Sequence, residues 1–181
     1  MGRRPRQPAS RARWIAKADV APSGATNRVC VGPPLAEGFL FSNSVISQSS
    51  IQAYLETNYH VDGSMPLTLK IGVANDGLAT LHTSNGVESS GYLTACNPFS
   101  EAMDDSVNDQ RMAVLASELQ QLGLNWIEGI GKHPTNGWAG EQSYLVLGLS
   151  RKEACRLGAR HEQNAIVWCG LDTVPELVLL R

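Results

Sequence analysis

The sequence predicts an α/β domain whose mixed, mostly parallel sheet is flanked by helices and preceded by a disordered basic tail. Three observations carry that expectation. Apolar runs of strand length alternate with segments of helical periodicity from about residue 46 onward. Residues 144–148, 151–161 and 165–169 read as strand, helix and strand, the smallest βαβ crossover, whose two strands run parallel. Residues 1–45 differ from the rest: they mix Arg3, Arg4, Arg6, Arg11, Arg13 and Lys17 with Pro, Ser and Gly and show no apolar period.

Taken in order, the chain starts with that tail. It suits a nucleic-acid or membrane-surface arm, an Arg-rich targeting peptide, or an idle extension. From residue 46 one domain is expected. Ser49 and Gln52 make a capping box for a helix carrying Ile51, Tyr54 and Leu55. Gly63 and Pro66 break the chain. Leu67, Leu69 and Ile71 then alternate with Thr68 and Lys70 as in a half-buried strand. Asn75 caps a short helix with Leu78 and Leu81, and Asn85-Gly86 is a turn.

Residues 91–96 form the next strand, which Asn97-Pro98 ends. Asp105 or Ser106 caps a long helix bearing Met112, Leu115, Leu119 and Leu122, and Gly123 stops it. Residues 124–130 are a strand and 131–141 a Gly- and Pro-containing loop. The strand 144–148 follows. Ser150 and Glu153 form a second capping box, for the helix 151–161. The strand 165–169 and a last strand, 176–180, close the chain. Two connections lack a helix, so some antiparallel pairing is expected.

Composition narrows the function. Hydrophobic content of 43% suits a globular core. No apolar run is long enough to span a membrane, and a cytoplasmic location is expected. Cys30, Cys96, Cys155 and Cys169 lack CxxC spacing, which favours free thiols over a zinc ribbon or a disulfide framework. The formal net charge is −2, but residues 1–45 hold seven basic and two acidic residues, leaving the body strongly acidic. Nucleic acid is therefore not an expected partner except through the tail. No metal or cofactor is expected. Residues 128–132 (EGIGK) lack the spacing of a phosphate loop.

Strand directions gather the polar residues. The end of the strand 91–96, the loop 131–141 and the start of the strand 165–169 fall on one edge of the sheet. Asn97, Trp138, Glu141, Gln163 and Asn164 converge there as candidate ligand-binding residues. The amides suit a planar polar ligand, Trp138 could stack on a ring, and Glu141 or Glu128 is a weak candidate general acid/base. Each has a plainer reading. Asn97 before a proline is a turn residue, Gln163 and Asn164 cap helix ends, Trp138 plugs its loop, and Glu141 is a solvated rim. His82, His133 and His161 read as surface residues.

Several phrases in fixed order resemble a known family. They are LTACNPFS at 93–100, Asn108 with Arg111, EGIG at 128–131, Trp138 with Glu141 and Ser143, LVLGL at 145–149 and QNAIV at 163–167. Together they resemble the bacterial domain of unknown function 3293 (DUF3293), over roughly residues 51–180. The resemblance implies a small soluble domain and transfers no catalytic residue. The expectation is a binding or regulatory module for a small polar ligand or a protein partner. The alternative is a small hydrolase or transferase using Glu141 or Glu128.

Overall fold

The computed structural model describes residues 45–181. The expected basic tail, 1–45, lies outside these residues but for Val45. The elements are α1 (Gln48–Glu56), β1 (Asn58–Val61), β2 (Leu67–Leu69), α2 (Asp76–Asn85), β3 (Ser90–Leu93), α3 (Asp105–Gln121), β4 (Trp126–Lys132), β5 (Glu141–Leu147), α4 (Arg151–Arg160), β6 (Ala165–Cys169) and β7 (Pro175–Leu179). A single 3₁₀ turn, Pro98–Ser100, lies between β3 and α3.

The seven strands form one sheet in the order β2-β1-β4-β5-β3-β6-β7. Every hydrogen-bonded pair is antiparallel. This overturns the expected mostly parallel sheet. The reason is specific. β5 and β6 do run in the same direction across α4, as a βαβ unit requires. They are not neighbours, because β3 lies between them and pairs antiparallel with both. Strand direction was legible in the local pattern, and adjacency was not.

Several local signals act as expected. The Ser150 side chain accepts from the Glu153 N–H and donates to the Glu153 carboxylate, so the glutamate reaches back to the cap of α4 through its hydroxyl. Asn75 caps α2 through the Leu78 N–H. Gly123, at φ 69°, follows α3 in the left-handed conformation that favours glycine. The first helix begins earlier than expected: Ser47, not Ser49, is its cap and accepts from Ser50 N–H. Asp104 occupies the N-cap position of α3.

Period-two alternation gives the sheet two buried faces. Tyr144 and Val146 of β5 pack with Leu93, Ile166 and Val178 beneath α3 and α4, where Met112, Leu115, Leu119, Ala154 and Leu157 fill the layer. Leu145 and Leu147 point the other way, with Tyr59, Val61, Tyr92 and Val167. Leu78 and Leu81 of α2 cover that second face only in part. The sheet curls around it. Gly72 N–H donates to Pro175 O and Asn75 N–H to Thr173 O, so the segment after β2 is joined to the start of β7 at one end. The other end of the inner face is roofed by α1.

Candidate functional site

Beneath α1 the inner face of the sheet holds a cavity of about 570 Å³. Its floor follows from register. Tyr59, Gly131 and Glu141 lie on one rung across β1, β4 and β5. Val61, Gly129 and Ser143 lie on the next. The two glycines leave that part of β4 without side chains, and over Gly131 the cavity occupies the space. Gly129 is fixed by close approach: a Cβ there would stand 2.2 Å from His60 O and 2.9 Å from the Tyr92 hydroxyl, which donates to that carbonyl at 2.8 Å. A Cβ on Gly131 would meet nothing nearer than 3.8 Å.

Glu141 opens β5 and is the only carboxylate among the described cavity-lining residues. Burial pushes its carboxyl up to about 7, against a partial opposing effect of the hydrogen bond from Asn97. Asn97 Nδ2 donates to Glu141 Oε1 at 2.6 Å. The orientation of that amide is set from behind. Met103 N–H, which can only donate, reaches Asn97 Oδ1 at 2.9 Å, and Asn108 Nδ2 reaches it at 3.0 Å. Asn108 Oδ1 also accepts from the Asn97 backbone N–H at 2.9 Å. Asn97 sits at φ 46°, and Phe99 and Ser100 follow at 53° and 63°. Three non-glycine residues in the left-handed region within four positions make a strained rim, held in place by surrounding bonds. One of these runs from Phe99 N–H to Glu162 O at 2.7 Å.

Arg111 supports the same rim from α3. Its guanidinium donates to Ala95 O and His161 O and pairs with Glu162 at 3.1 Å. Gln163 lines the cavity and donates from Nε2 to Cys96 O and His161 O. Trp138 also lines it and is 38% exposed, so it stands at the mouth and not as a plug in the core. Asn164 is close by but lines a neighbouring cleft. It donates to Ser100 Oγ at 2.9 Å, and that hydroxyl shares a 2.7 Å bond with the Tyr54 hydroxyl of α1.

Of the residues the sequence singled out, Asn97, Trp138, Glu141 and Gln163 come together at the cavity. Glu128 does not. It is exposed on the β4 face that carries Trp126, opposite Tyr144, away from the cavity. The histidines also depart from expectation. His133 is buried: its Nδ1 accepts from the Thr135 and Asn136 N–H groups, which leaves Nε2–H to donate to Glu56 at 3.0 Å. His82 and His161 are buried too, against Ser90 and Glu118. Tyr54, Tyr59, Tyr92, Thr94 and Ser143 line the cavity and were missed. The available signal was period two: Glu141, Ser143, Leu145 and Leu147 share one face of a strand whose polar start resembles loop.

Among the described residues no group of three or more His, Cys, Asp or Glu could hold a metal ion. None of the described helices is long and apolar enough to cross a membrane. Cys96, Cys155 and Cys169 are buried and carry no disulfide.

Fold and site together define an antiparallel α/β domain with a ligand-sized cavity under its first helix. Residues 93–166 match the family described as a protein of unknown function, DUF3293. The resemblance seen in the scattered phrases is thus supported, over nearly the stretch the phrases span and less than the 51–180 it was read over. That stretch contains Asn97, Trp138, Glu141, Gln163 and Asn164, but not the α1 and β1 residues of the cavity wall. No curated protein and no solved structure matches the chain.

Proposed function

We propose that this domain is a binding module for a small molecule held in the cavity under α1, with Glu141 as its polar anchor. The observation that carries the reading is the placement of one desolvated carboxyl, oriented by Asn97, in a mostly apolar space of ligand size. A site that only closed a core would not keep a carboxyl across from the open space over Gly131.

The same carboxyl favours one second reading, a hydrolase or transferase in which Glu141 is general acid/base. A group titrating near 7 is suited to that work. Glu128, on the opposite face, has no part in it.

A thermal-shift screen of the full chain against nucleosides, sugars, amino acids and amines tests both. A ligand that binds the folded state raises Tm by mass action. Expected are hits that disappear in Glu141→Gln and in Gly131→Val, which projects a branched side chain into the cavity floor. Hits indifferent to both variants contradict the reading. Turnover of a cavity-bound hit would move the assignment to the enzyme.

A further inference from the structure

The hydrogen-bonding groups on the cavity wall have an imbalance that says what kind of ligand fits. Tyr59 donates its hydroxyl proton to Tyr54 O, Tyr92 to His60 O, Thr94 to Gln142 O and Ser143 to Glu141 O. Each hydroxyl has one proton, so each has none left for a ligand. Gln163 commits both Nε2 protons to two carbonyls, whereas Asn97 commits one Nδ2 proton to Glu141 and keeps one. What remains deep in the cavity is mostly acceptor capacity. Glu141 Oε2 and Gln163 Oε1 take no hydrogen bond from the described residues, and the committed hydroxyls keep lone pairs. The donors still to spare are fewer: the second Asn97 Nδ2 proton, the Asn136 amide, the Trp138 indole N–H and one proton of the Tyr54–Ser100 pair.

From this we infer that the cavity takes a small molecule with a protonated amine on a flat or apolar body, its ammonium directed at Glu141. The inference rests on the small-molecule reading above and narrows it. An ammonium brings three donors and no acceptor, which matches a wall rich in acceptors. It also brings the charge that a partly buried carboxylate lacks, and Tyr59, Tyr92 and Trp138 add aromatic surfaces that attract cations. A carboxylate ligand would bring acceptors to acceptors and a like charge to Glu141.

Protonation gives a second handle. With its carboxyl at about 7, Glu141 is largely protonated at pH 6 and ionised at pH 8. Amine binding should therefore strengthen across that range. The other titratable groups lining the cavity are Tyr54, Tyr59, Tyr92 and His133. Burial raises Tyr59 and Tyr92, and Cys96 close by, further above that range. Comparison with Glu141→Gln removes any contribution from His133.

Three probes with one body test the idea: 2-phenylethylamine, 2-phenylethanol and phenylacetate. Each is titrated into the full chain at pH 8, and the Trp138 indole N–H resonance is followed. The amine should bind about tenfold or more tightly than the other two, and about tenfold more tightly at pH 8 than at pH 6. In Glu141→Gln both preferences should vanish, and in Gly131→Val all binding should. If the alcohol or the acid binds as tightly as the amine, the ligand class is overturned and the cavity reading stands. The ligand class is overturned in the same way if the amine fails while other compounds from the screen bind in a Gly131→Val-sensitive way. If no compound of either set shows such binding, both readings fall.

Discussion

Glu141 loses water on entering the cavity wall and receives one hydrogen bond, from Asn97, in return. The sign of its effect on stability follows. The unfolded chain releases this proton near 4.5 and the folded chain holds it to about 7. Between those values the folded state binds more protons, so stability falls as pH rises through the window. The full loss is about 3 kcal/mol. Glu141→Gln keeps an acceptor for Asn97 Nδ2 and removes the titration. Urea unfolding at pH 5 and pH 8 should therefore show the variant gaining on the wild type by about that amount at the higher pH. A difference that does not change with pH would contradict the assignment. At this scale the sequence was partly legible. Asn97 was read both as a turn residue and as a ligand, and it is a turn residue whose amide is aimed at Glu141. Tyr59 and Tyr92 gave no signal, because an aromatic in a short strand looks the same whether it faces a packed core or a cavity.

At the scale of elements, β4 explains the EGIG phrase without any phosphate chemistry. Gly129 allows β1 and the Tyr92 hydroxyl to close over it, and Gly131 leaves space beneath α1. The two should respond oppositely to added side chains. Gly129→Ala should cost about 3 kcal/mol, the upper end for overpacking, since its Cβ must push His60 O away. Gly131→Val should fold as well as the wild type, because its Cβ meets only ordinary contacts and β-branched residues suit strands. Chemical denaturation of both variants checks this, and equal costs would show that the register of β1 on β4 is wrong. Capping residues made α2 and α4 readable. β1 was missed because Asn58–Val61 is four residues long and carries Asn and His.

For the whole molecule, the decisive feature is a sheet that curls on itself, joined at one end by Gly72 and Pro175 and open at the other under α1. The sequence placed Asn97, Trp138, Glu141, Gln163 and Asn164 on one edge by counting strand directions. That edge exists, because directions survive when a strand is inserted. Adjacency does not survive: β3 separates β5 from β6, and such long-range pairing leaves no trace in local periodicity. Curl likewise depends on contacts between segments far apart in the chain, such as Gly72 with Pro175. The proposed site requires Glu141 to be a desolvated carboxyl facing the cavity, and its titration is the most direct test. The side-chain carboxyl carbon of Glu141 can be followed by ¹³C NMR across the acid and neutral range, with Glu141→Gln identifying the resonance. The expected midpoint is near 7. A midpoint near 4.5, the ordinary value, would mean a solvated rim residue and would remove the anchor from the proposed site.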